Sequence, residues 1–69
     1  MYKYLVIFEK GGKNYSAYSP DIPGCIATGK TRKEVEENIK EAISFHLEGL
    51  VKDGLPLPEP ASFTEYVEV

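Results

Sequence analysis

Residues 31–53, TRKEVEENIKEAISFHLEGLVKD, constrain the fold more than any other stretch, because their pattern admits a helix with one apolar side. Thr31 is followed three residues later by Glu34, the spacing of a capping box. In such a box the threonine hydroxyl accepts from the Glu34 N–H and the carboxylate reaches back to the Thr31 N–H. Beyond it Val35, Ile39, Ala42, Ile43, His46, Leu47 and Leu50 recur at spacings of three and four. At about 100° per residue these positions form one continuous stripe, which must lie on a core. Gly54 follows where a left-handed C-terminal cap belongs. The helix is expected at about 31–53.

The rest of the chain must supply the surface on which that stripe lies. Residues 2–9, YKYLVIFE, carry the β-branched and aromatic side chains that suit a strand. Lys10-Gly11-Gly12-Lys13-Asn14 reads as a hairpin loop and Tyr15-Ser16-Ala17-Tyr18 as the return strand. Pro20 and Pro23 stop that strand, since neither offers a ladder N–H, and Cys25-Ile26-Ala27-Thr28 follows the Pro23-Gly24 turn as a third strand. Alternate prolines hold 55–60, LPLPEP, near polyproline II. Residues 63–69 then alternate with period two, Phe63, Glu65, Val67 and Val69 on one face and Thr64, Tyr66 and Glu68 on the other, which predicts a fourth strand.

The element order is therefore β-β-β-α-β, an α+β class. A right-handed crossover sets the last strand beside the first, giving a four-stranded mixed sheet of order 3-2-1-4 with one helix on one face. The opposite face has no cover of its own. With five tyrosines and three phenylalanines in 69 residues it is expected to be partly apolar, and a homo-oligomer, dimer or tetramer, would cover it. The single cysteine makes no internal disulfide, the N-terminal residues lack the small-residue cleavage site expected of a signal peptide, and there is no apolar run of the roughly 20 residues that span a bilayer. A cytoplasmic, non-membrane protein of one domain, 1–69, is expected.

The net charge of −3 is unevenly placed: residues 1–30 carry +2, residues 31–58 carry −2, and the last eleven carry −3 through Glu59, Glu65 and Glu68. Direct nucleic-acid binding would call for a basic stripe, so this gradient favours a basic partner instead. Cys25 reads as a small buried strand residue and His46 as a hydrogen-bonded residue in or beside the core, about four helical turns from Thr31. No ligand spacing marks a metal site and no glycine-rich stretch marks a phosphate loop, so no cofactor is expected. The element order matches the first half of a ribonuclease H fold. A metal-dependent nuclease would need Glu9, Glu41 and Glu65 or Glu68 as ligands, and their positions suit surface charge better. Phe45 lies outside the apolar stripe, on the side of the helix that holds Gly49, and is a candidate contact with another chain.

From Tyr15 to Pro60 the chain resembles the N-terminal domain of HicB antitoxins, the UPF0150-type fold. The residues that carry the resemblance are Tyr18 before Pro20-Asp21, then Pro23-Gly24-Cys25, Gly29-Lys30-Thr31, Glu41-Ala42-Ile43 and the Leu-Pro-x-Pro exit at Leu55 to Pro58. The likeness extends over about residues 2–69. It implies a partial ribonuclease H-like fold without nuclease activity and a partner of HicA type, a small basic RNA-cleaving toxin. HicB antitoxins typically continue into a ribbon-helix-helix or helix-turn-helix domain. This chain ends at Val69, so operator binding is not carried over. The expected function is sequestration of such a toxin by a non-catalytic domain, the alternatives being the nuclease above or an orphan interaction domain. The expected partner-binding residues are Asp21, Ile22 and Pro23 of the 21–25 turn, Phe45, and Glu65, Tyr66 and Glu68 of the tail.

Overall fold

A computed structural model describes residues 2–69. Three strands, β1 (Ile7–Lys10), β2 (Tyr15–Tyr18) and β3 (Ile26–Gly29), form an antiparallel sheet in that order, followed by helix α1 (Arg32–Lys52). The register pairs Phe8 with Ala17 and Ala17 with Ala27, which places these three on the face that receives the helix. Ala17, Val35 and Ile39 are buried at the centre of the core, with Val6, Tyr15, Ala27 and Ile43 packed round them. On the other face Ile7, Tyr18 and Ile26 align across the three strands as an apolar row, with Ile7 half-buried and Tyr18 and Ile26 exposed.

Both ends of α1 close as the sequence requires, with one difference. The Glu34 N–H donates to Thr31 Oγ1 at 3.1 Å, and the Glu34 carboxylate reaches back to the Lys30 N–H at 3.2 Å, one residue earlier than the Thr31 N–H expected of the box. At the far end Gly54 takes φ +69°, which lets the Gly54 N–H donate to the Val51 carbonyl and the Leu55 N–H to that of Leu50. That pair of bonds is a Schellman cap, and a positive φ there favours glycine.

The strands are shorter than their composition suggests. Only Ile7–Lys10 of the first apolar run has ladder partners, because β2 ends at Tyr18 where the chain turns. Two successive turns follow: the Ile22 N–H bonds to the Ser19 carbonyl and the Cys25 N–H to the Ile22 carbonyl, both at 3.2 Å. Pro23 at the second position and Gly24 at the third, with φ +79°, suit a type II turn. With the Cys25 N–H spent in that turn, β3 begins at Ile26, one residue later than expected.

The fourth strand is a correction. Residues 63–69 pair with no strand, so the sheet has three strands, all antiparallel, instead of four in the order 3-2-1-4. The comparison with half a ribonuclease H fold loses the strand it requires. The physical reason lies just upstream, where hydrogen bonds to Asp21 hold Ala61 and Ser62 and the chain beyond them runs into solvent. Period-two alternation marks a segment able to form a strand. Pairing also needs an edge within reach.

Candidate partner-binding surface

A 21-residue helix is about 31 Å long, whereas four-residue strands span about 13 Å, so α1 overhangs the sheet at its C-terminal half. Val35 and Ile39 are buried, while Ile43, His46, Leu47 and Leu50 of the same stripe remain half-covered. Between this overhang and the start of β3 lies an open groove of about 450 Å³, lined among others by Cys25, Ile26, Phe45, His46, Gly49 and Leu50. Phe45 is 79% exposed and Ile26 70%, so the groove has a bare apolar rim. Gly49 presents no side chain there, which keeps the groove open beside Phe45.

Cys25 and His46 share this groove, although His46 lies about four helical turns from Thr31. The helix runs back along the sheet, which brings its distal half to the beginning of β3. No hydrogen bond joins the two. Burial pushes the Cys25 thiol above its ordinary value, the opposite of what a thiolate nucleophile needs. Shared geometry does not make a catalytic pair here.

The second feature is a clamp on the tail. Asp21 Oδ2 accepts from the backbone N–H groups of Ala61, at 3.2 Å, and Ser62, at 3.1 Å, while Oδ1 accepts from Ser62 Oγ at 2.8 Å. These bonds, those from Ser62 foremost, hold the Asp21 carboxyl below its ordinary value. Beside it Tyr4 Oη donates to the Pro58 carbonyl at 2.6 Å. Two anchors forty residues and more apart in sequence thus fix where the tail leaves the body.

The expected contact residues fall into different settings. Ile22 is 1% exposed and belongs to the interior, so it offers no surface; the turn hydrogen bonds on both sides of it point its side chain inward. Asp21 is engaged by the tail of its own chain, which makes it a positioning residue. Pro23 and Phe45 are exposed, and Glu65, Tyr66 and Glu68 stand in solvent. The structure therefore gathers Phe45 with Ile26 and Gly49 at the groove, and leaves the acidic tail apart from them. Ile26 was missed, although inward-facing Cys25 and Ala27 imply that the residue between them points out. Ser62 was missed because nothing in the sequence pairs position 62 with position 21. Among the described residues no three of His, Cys, Asp and Glu converge, which leaves Glu9, Glu41, Glu65 and Glu68 without ligand geometry. No helix of the described residues is long and apolar enough to cross a membrane.

Comparison with known proteins now bears on this surface. The family model described as HicB-like antitoxin of bacterial toxin–antitoxin system matches residues 4–69. A 14.9 kDa protein of Haemophilus phage HP1 is 41% identical over 64 residues, 93% of this chain and 48% of that one. A UPF0150 protein of Thermoplasma acidophilum is 44% identical over 57 residues, 81% of this chain and 83% of that one. The chain thus spans about half of the phage relative and most of the archaeal one. Among solved structures, a chain of a complex titled HicA3 and HicB3 toxin-antitoxin complex superposes with a TM-score of 0.70 at 35% identity, covering 87% of this chain and 70% of that one. The match of the family model over almost the whole sequence settles the membership expected from the Pro-Asp-x-Pro-Gly-Cys turn and the capped helix: this chain belongs to the HicB-like antitoxin family of bacterial toxin–antitoxin systems.

Proposed function

We propose that this chain neutralises a small, basic, RNA-cleaving toxin of HicA type by covering it, without chemistry of its own. The observation that carries the reading is the family match, set beside a relative at 35% identity solved with a HicA toxin. Two surfaces are suited to the task. The groove rim offers Phe45 and Ile26 as bare apolar anchors, and such anchors dominate protein interfaces when fully desolvated. The tail offers Glu65, Tyr66 and Glu68 with no base among its last eleven residues, a charge that steers a basic partner. Blocking an RNA-cleaving site requires only that substrate be excluded. Such a toxin meets its RNA in the cytoplasm, and the reading places this chain there.

The test is titration of a purified HicA-type toxin with the chain, followed by calorimetry and by protection of RNA from cleavage. Stoichiometric binding and loss of cleavage are expected. Glu65→Lys with Glu68→Lys should weaken binding and flatten its dependence on salt. RNA cleavage undiminished by an excess of the chain overturns the reading.

A further inference from the structure

The tail and the β1 edge of this fold complement one another. We propose that residues 63–69 of one copy add to β1 of a second copy as an antiparallel strand, so that two chains exchange their tails. Three observations carry it. First, Phe63, Tyr66, Val67 and Val69 lie bare in the single chain, an exposure unusual for four large apolar residues within seven. Second, the two sheet edges differ. Helix α1 packs on β3 and β2, and the Asn38 side-chain amide donates to the Thr28 carbonyl of β3 at 2.8 Å, whereas no Cα of α1 lies within 8 Å of a Cα of β1. The β1 edge is therefore the uncovered one, and Phe8 on its helix side is left exposed. An unpaired edge of this kind is a template for another strand.

Third, one register matches Glu65, Val67 and Val69 of that tail face to β1 and the residue leading into it, with Phe63 falling opposite Gly12 of the hairpin loop. The helix face of β1 and the residues leading into it reads Val6, Phe8, Lys10, and one face of the tail reads Glu65, Val67, Val69. Antiparallel pairing sets Val69 opposite Val6, Val67 opposite Phe8 and Glu65 opposite Lys10. A shallow basin of about 350 Å³ waits there, lined by Phe8, Lys10, Tyr15 and Arg32 together with Glu9, so that Glu65 would meet two cations. Pairing within one chain cannot reach this match. The tail is rooted beside Tyr4 and Asp21, at the start of the run into β1, so that laid along its own β1 from there it runs parallel to that strand. In a parallel register that keeps Glu65 opposite Lys10, Val67 and Val69 fall opposite the hairpin loop. The exchange leaves Thr64, Tyr66 and Glu68 on the other face, open to a further partner.

The experiment uses the chain alone, so it stands or falls independently of the toxin reading. Light scattering after gel filtration should give twice the 7.7 kDa chain mass, dissociating on dilution. Tyr66→Pro with Val67→Pro removes two consecutive ladder N–H groups and should leave a monomer with an unchanged helical circular dichroism signal. Lys10→Glu and Glu65→Lys should each raise the dimer dissociation constant up to about fivefold, and the two together should restore it. In a mixture of labelled and unlabelled chains, filtered NOE cross-peaks should link residues 65–69 of one copy to residues 6–10 of the other. A monomer at millimolar concentration, a dimer that survives the two prolines, or tail contacts confined to one copy would each overturn the proposal.

Discussion

At the scale of single residues, two positions decide how the chain is held together. Gly29 ends β3 where α1 begins to cross it, and a Cβ there would lie 2.6 Å from the Val35 nitrogen and 3.0 Å from its Cα. Those atoms are helix backbone and cannot step aside cheaply. Gly29→Ala should therefore cost about 1–3 kcal/mol, read as a lower urea midpoint. Asp21 acts differently, because it binds a segment and not the core. Its carboxyl is held below the ordinary value of 3.8, so the tail clamp is fully present above that pH. It weakens as the pH falls through the lowered value of the docked state, where protonation removes the acceptors. Amide signals of Ala61 and Ser62 should move in that acid range while those of α1 hold. Asp21→Ala should produce the same tail signals at neutral pH.

At the scale of elements, α1 was legible because its information is local. The cap at Thr31, the stripe and the exit at Gly54 each concern residues within a few positions of one another. The Thr31 cap and the Gly54 exit form, while the Glu34 carboxylate reaches Lys30 in place of Thr31 and only Val35 and Ile39 of the stripe are buried. Thr31→Ala should destabilise the fold by about 1 kcal/mol in thermal or urea melts. Ile39→Ala, which empties a buried site beneath Ala17, should cost about 2–5 kcal/mol by the same measure. Strands were legible in kind and not in extent. Residues 2–6 have the composition of a strand and 63–69 the alternation of one, and what they lack is a neighbouring edge, a fact set by where Pro20 turns β2 away and where Asp21 pins the tail. The same distinction separates the candidate residues. Exposure of Phe45 follows from its angle on the helix, whereas the burial of Ile22 and the engagement of Asp21 depend on partners in distant segments that local pattern does not reveal.

At the scale of the whole molecule, the helix overhang and the tail form two surfaces of unlike physics, and a toxin that used both would show it. The groove rim at Phe45 and Ile26 is apolar, so its share of affinity comes from area removed from water, which salt up to physiological strength barely changes. The tail is a run of exposed carboxylates whose share is long-range and falls as ions screen it. Phe45 is so exposed that Phe45→Asp should leave the melting profile of the free chain nearly unchanged. It should weaken toxin binding by a similar factor at low and at physiological salt, chiefly through faster dissociation. Glu65→Lys with Glu68→Lys should lower the association rate most at low salt and lose its effect as salt rises. Measured together across a salt series, the two variants assign the affinity to shape or to charge. Parallel salt dependences for both would mean that the two surfaces do not divide the affinity between shape and charge.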